Sequence, residues 1–142
     1  DGDLQAMLVY LASLSQAPAV PNTREPAPAP AELAGAAALY QQHCSDCHGA
    51  QGEGVAGAYP ALAGNRALQA DLPNNAIYAV LRGGFAPATA ANPRPYGMPP
   101  YLLTLHDAQV AEVLTYVRQS WGNRGAPVFE AQVTQARNRA GR

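Results

Sequence analysis

Two cysteines, a histidine directly after the second, and one methionine far downstream are the residues of this chain whose types and spacing invite chemistry. Cys44-Ser45-Asp46-Cys47-His48 is a C-x-x-C-H run, the pattern to which a c-type haem is attached. Each thiol adds to one haem vinyl group as a thioether, and a helical turn between the cysteines spans the two vinyls. The imidazole that follows lies under the iron as an axial ligand. The same cysteine pair also marks zinc sites and dithiol oxidoreductases. A structural zinc site normally brings a second spaced pair, whereas here only His43, His48 and His106 remain as further nitrogen ligands. A dithiol redox site would follow a strand, and the stretch before Cys44 is an alanine-rich helix former.

Met98 is the leading candidate for the opposite axial position. It stands 50 residues after His48, within Tyr96-Gly97-Met98-Pro99-Pro100. Proline fixes φ and glycine permits close backbone approach, so such a loop can hold a soft thioether against iron without a helix. A lone methionine is otherwise a core filler, which is the reading given to Met7 on the apolar face of the first helix. His106 competes as a ligand, but just before Asp107 an N-cap role or simple exposure suits it better. His43 is expected to turn away from the iron to the surface. A His/Met pair raises the reduction potential and leaves no open position, which suits outer-sphere electron transfer. Arg82 and Arg94, and less so Arg66, are candidates to pair with haem propionates through a bidentate guanidinium. Phe85, Tyr96 and Tyr101 are expected to line the pocket or shield the haem edge.

These residues must be positioned by short helices. The chain has 142 residues, 48% of them hydrophobic and 13% charged, with 13 prolines and 13 glycines. That is one domain with appendages, and two cysteines make no disulfide framework. A net charge of −1 argues against a basic nucleic-acid face. No apolar run reaches the ~18 residues of a membrane span, and no basic start followed by an apolar stretch opens the chain as a secretory signal would. Residues 1–15 have one apolar helical face through Leu4, Met7, Leu8 and Leu11, and 16–31 read as a Pro/Ala linker. Residues 32–121 are the part expected to form a compact domain. Its helices are predicted from about Ala31 to Cys47, from an N-cap at Asn74 or Asn75 to Gly83-Gly84, and from about Asp107 to Trp121. The proline-rich segment Ala86–Leu103 is expected to lack regular structure, and 122–142 form a C-terminal extension with a short helix from Pro127 and a frayed tip. Residues 1–11 also echo 107–117: aspartate, the apolar positions and tyrosine coincide at one offset. Either two amphipathic helices happen to align, or the chain opens with the last helix of an upstream copy of the same domain.

Residues 32–121 resemble class I cytochromes c. The resemblance implies an all-α cytochrome c fold, three or more short helices around one covalently bound haem, with long Pro/Gly-rich loops. It implies Cys44, Cys47, His48 and Met98 as the cofactor-binding residues of a single haem c, with iron held by His48 and Met98. Tyr40 and Ala36 would cross the C-terminal helix at Val113 and Tyr116, with alanine where the family usually has glycine. In Tyr59-Pro60-Ala61-Leu62, which looks like the family's proline loop, the Pro60 carbonyl would accept a hydrogen bond from His48 Nδ1.

The methionine loop 91–100 and the helix 113–123 look like those of the last domain in multi-haem cytochrome c subunits of bacterial membrane-bound alcohol, sugar and aldehyde dehydrogenases. That likeness implies an electron-transfer domain, not itself an enzyme, working beside a separate dehydrogenase subunit and a quinone-linked or oxidase acceptor. Its place would be the bacterial periplasm, with any membrane association coming through a partner or through sequence outside this chain. With no lysine in the chain, docking is expected to be largely apolar. Two other classes share the motif: a cytochrome domain serving a terminal oxidase or a nitrogen- or sulfur-oxidising enzyme, and a haem sensor or peroxidase with a labile sixth ligand.

Overall fold

The computed structural model describes residues 2–13, 33–90 and 93–140. The first helix, α1, is Gly2–Ser13, within the predicted 1–15, whose other residues lie outside the described ones. None of its residues is buried, and Leu4, Met7, Leu8 and Leu11 are each more than half exposed. Met7 therefore does not pack as a core filler. The linker expected over 16–31 lies outside the described residues.

The helix predicted from about Ala31 to Cys47 is two helices meeting at an elbow. The alanine-rich α2 spans Ala34–His43 and α3 is the single turn Ser45–His48, with Cys44 between them at φ −125°, ψ −34°. At the elbow the N–H groups of Cys47 and His48 both turn to the Cys44 carbonyl (3.2 and 2.9 Å), and Ser45 Oγ donates back to the Gln41 carbonyl at 2.7 Å. A serine hydroxyl bonding one turn back competes with the regular ladder and bends helices.

Downstream lie a 3-10 turn at Arg66–Gln69 and the helix α4, Asn74–Arg82. Neither asparagine caps α4. Pro73 occupies the N-cap position and its carbonyl accepts from Ile77 N–H (2.9 Å). Gly83 ends the helix as predicted, at φ +62°. The segment predicted to lack regular structure, Ala86–Leu103, holds one strand of a short antiparallel pairing: β2, Gly97–Met98, faces β1, Gly84–Phe85, just before the segment, with Gly84 opposite Met98. The helix α5 is Asp107–Gln119 and α6 is Glu130–Ala140.

Two apolar clusters hold these elements. In the first, α2 crosses α5 as the resemblance implied: Ala36 and Tyr40 pack with Val113, Tyr116, Val117 and Trp121. The Tyr40 ring lies 4.9 Å from Trp121 and 5.5 Å from Tyr116, distances at which tilted aromatic pairs attract. The second cluster joins Ile77 and Leu81 of α4 to Val110, Ala111 and Leu114 of α5 and to Val128, Val133 and Ala136. The last three lie beyond residue 121, so the extension supplies core rather than a loose tail.

Two arginines that composition alone would place at the surface tie the chain together. Arg118 is fully buried and donates to the carbonyls of Leu68 (2.6 Å), Ala126 (2.8 Å) and Ala70 (3.0 Å). Arg137 of α6 pairs with Asp107 at 2.5 Å and donates to the carbonyls of Leu102 and Leu105. Burial opposes the Asp107 charge, but hydrogen bonds from Thr134 and Arg137 outweigh it and hold the carboxyl below its ordinary range.

Candidate cofactor site

A cleft opens between the α2–α3 elbow and the methionine loop, walled by Cys44, Cys47, His48, Pro60, Met98 and Tyr101 among others. It encloses about 740 Å³, its open mouth included. The walls are mostly apolar, and the four chemistry-bearing side chains singled out in the sequence all reach this one space. Tyr96 and Tyr101 line it too, as expected. Phe85 does not: it is 81% exposed and lies over Gly97 instead.

Each wall has a local cause. The elbow at Cys44 sets the single turn of α3 apart from α2, so that Cys44, Cys47 and His48 share one edge of the cleft. After His48 the chain doubles back through Gly54, whose N–H donates to the His48 carbonyl (2.7 Å). Gly54 sits at φ +65°, and a Cβ there would lie 2.6 Å from the Tyr59 carbonyl oxygen. Only glycine closes this turn without strain. The turn carries Pro60 to His48, where the Pro60 carbonyl lies 2.9 Å from Nδ1 and accepts its proton. That bond sets the tautomer and leaves Nε2 with a free lone pair, the form in which imidazole binds a metal.

On the opposite wall the methionine loop leans on the end of α4. Tyr101 and Leu102 N–H groups donate to the carbonyls of Val80 (3.0 Å) and Leu81 (3.1 Å), which the helix end leaves free. A Cβ on Gly83 would fall 2.1 Å from the Met98 carbonyl oxygen, so this glycine lets the Met98 backbone lie against the helix terminus. The rings of Tyr59 and Tyr96 meet at 5.1 Å, joining the proline loop to the methionine loop.

The donor set fits a thioether-bound haem better than the two other uses of a cysteine pair. Among the described residues no three His, Cys, Asp or Glu side chains converge where a metal ion could be held, which disfavours zinc. A helix rather than a strand precedes the motif, which disfavours a dithiol redox site. Burial, and then the neighbouring Cys47, push the Cys44 thiol up to about 11, so at neutral pH it is a protonated thiol and a poor thiolate ligand. Addition across a haem vinyl group would leave that sulfur in an apolar wall as an uncharged thioether.

The other side chains weighed in the sequence divide between the cleft wall and the surface. His106 caps α5, accepting from Gln109 N–H at 3.3 Å while the Gln109 side chain returns the bond, and it does not line the cleft. His43 was expected at the surface, but it is half-buried on the cleft wall with its ring 5.7 Å from that of Tyr101. The elbow explains the difference: α2 ends at His43, so helical phase does not carry across it. None of the three propionate candidates reaches the cleft walls. Arg66 and Arg94 are exposed, and Arg82 lies 5.6 Å over the Tyr78 ring. Sequence reasoning passed over Arg118 and the bond between Tyr101 and His43. Arg118 had a signal, since it follows Leu114 by one helical turn on the apolar stripe of α5; the Tyr101 bond, spanning 58 residues, had none.

Comparison with known proteins agrees with this geometry. The family model described as Cytochrome c matches residues 33–121. The cytochrome c subunit of a quinone alcohol dehydrogenase from Gluconacetobacter polyoxogenes is 33% identical over 97% of this chain and 31% of its own length. The gluconate 2-dehydrogenase cytochrome c subunit of Pantoea cypripedii is 35% identical over 61% of this chain and 20% of its own. The fructose dehydrogenase cytochrome subunit of Gluconobacter japonicus is 34% identical over 71% and 21%. The chain thus spans less than a third of the length of each of these relatives.

Proposed function

Because the chain belongs to the cytochrome c family, whose members carry covalently bound haem c and transfer electrons, we propose that Cys44 and Cys47 form the thioether bonds here and that His48 and Met98 are the axial ligands. The observation that carries this reading is the convergence of those four side chains on one apolar cleft. The haem supplies a one-electron couple at its iron. His48, its Nδ1 proton committed to Pro60, offers Nε2 in a fixed orientation; Met98 offers a soft thioether from a loop anchored to α4. With both axial positions filled by protein, electron transfer is favoured over oxygen activation or gas sensing.

Two measurements test this together. The mature chain should exceed its polypeptide mass by one haem after acid-acetone extraction, and its reduced form should bind no carbon monoxide at neutral pH. Haem lost to the extraction would refute the thioether bonds, and fast, complete carbon monoxide binding would refute a protein-filled sixth position.

The wider role follows the relatives. The domain relays electrons from a separate dehydrogenase subunit towards a respiratory acceptor, in the bacterial periplasm, where haem of this type is attached. An apolar docking contact is supported by the absence of lysine and by Tyr96, 61% exposed at the cleft mouth. No helix among the described residues is long and apolar enough to cross a membrane.

The echo of α5 in α1, together with the exposed leucines of α1, supports reading α1 as the closing helix of a preceding domain of the same kind, joined through 16–31 to the domain 32–121 and its extension 122–142. Deleting residues 1–13 should then leave the melting temperature of the haem domain within about 2 °C of the full chain, less than ~1 kcal/mol of contacts would move it. A fall of 8 °C or more would show that α1 belongs to this core.

A further inference from the structure

We propose that Tyr101 is a positioning residue for Met98, holding the methionine loop across the cleft through the His43 carbonyl; the proposal rests on the reading of Met98 as a ligand. The backbone ties of the loop, the β1–β2 pairing and the bonds to Val80 and Leu81, all run to α4 or to the residues just after it. They fix the loop to its own side of the cleft. Tyr101, three residues after Met98, reaches the other side: its Oη donates to the His43 carbonyl at 2.5 Å, and its ring stands edge-on to the His43 imidazole at 75°. His43 is the last residue of α2 and precedes the attachment cysteine Cys44. One phenol therefore joins the segment that carries the methionine to the segment that carries the thioethers.

The bond exists because of the elbow. The Cys47 N–H turns to the Cys44 carbonyl, and the His43 carbonyl at the end of α2 takes the phenol. The Tyr59–Tyr96 ring contact is a second tie of the methionine loop, to the proline loop, made ring to ring at 5.1 Å. Opening the loop while Met98 leaves its position would break the phenol bond and strand a half-buried carbonyl, so closed and open states differ by about one hydrogen bond in favour of closure.

The test uses the holoprotein with free imidazole as the probe of loop opening. Tyr101→Phe keeps the ring and removes only the hydroxyl. The ferric variant should keep the methionine–iron charge-transfer band in the absence of imidazole. Its affinity for imidazole, read from loss of that band, should rise about tenfold, the equivalent of one such bond. Thr115→Val is the control: it removes bonds to Ala111 and Val128 far from the cleft, so it should lower the melting temperature and leave imidazole affinity unchanged. Imidazole affinity within twofold of wild type in Tyr101→Phe would overturn the proposal, as would an equal rise in Thr115→Val, which would mean general loosening. Failure of the underlying ligand reading looks different: the ferric wild-type protein would then lack the methionine–iron band altogether.

Discussion

Protein carrying Cys44→Ala or Cys47→Ala should accumulate to less than about a tenth of the wild-type level, because a cofactor held only by the native state adds its binding free energy to stability. Neither of the two apolar clusters fills the cleft. Cys44 and Tyr101 pack against the clusters from its walls, but none of the clusters' buried residues lines it. Without the cofactor these walls face water, and a small domain has little stability to spare. Each single variant retains one cysteine, so the small folded fraction should hold haem through one thioether. Its pyridine haemochrome band should shift to the red, reporting one unsaturated vinyl. Wild-type accumulation of both variants with an unshifted band would mean that the cysteines do not bond the haem. The Ser45→Ala variant separates the elbow from the chemistry, since it loses the bond to Gln41 and should still carry haem with both thioethers.

The residues of the cleft were legible because covalent chemistry leaves a rigid local signature. Cys44, Cys47 and His48 are spaced by the reaction itself, and a methionine between glycine and two prolines stands out in a chain with only two methionines. The α2–α5 crossing was legible too, since Ala36, Tyr40, Val113 and Tyr116 repeat at helical spacing. What escaped was set by tertiary contacts. Periodicity carries a helix straight through Cys44, and nothing local shows that Ser45 bonds back to Gln41 and bends it. The elbow in turn decides that His43 faces the cleft. Asn74 and Asn75 look like caps by type, but Pro73 takes the N-cap position, its carbonyl accepting from Ile77 N–H. Arg137 in an Arg-rich tail looks solvated until Asp107 and the carbonyls of Leu102 and Leu105 are seen around it.

Replacing Met98 with alanine should abolish the methionine–iron charge-transfer band, lower the reduction potential and admit exogenous ligands to the iron. A thioether is a weak σ-donor that favours the ferrous state, so its loss shifts the balance towards ferric. Carbon monoxide should bind the reduced variant readily where the wild type excludes it. The thioether bonds from Cys44 and Cys47 should survive, because the methionine loop forms neither. The loop itself should stay in place: its ties to Gly84, Val80 and Leu81 are made by the backbone, and the Tyr101 phenol bond does not involve the thioether. Stability should fall by about 2 kcal/mol, the low end for methionine truncation, since Met98 is only half-buried. His106→Ala provides the contrast. Its imidazole caps α5 rather than facing the cleft, so the variant should lose about 1 kcal/mol of stability and keep the wild-type spectrum. Should His106→Ala instead remove the low-spin signature while Met98→Ala leaves it intact, the axial pair would be two histidines. The cap geometry makes that outcome costly: His106 does not line the cleft and would have to give up its bond from the Gln109 N–H to reach it.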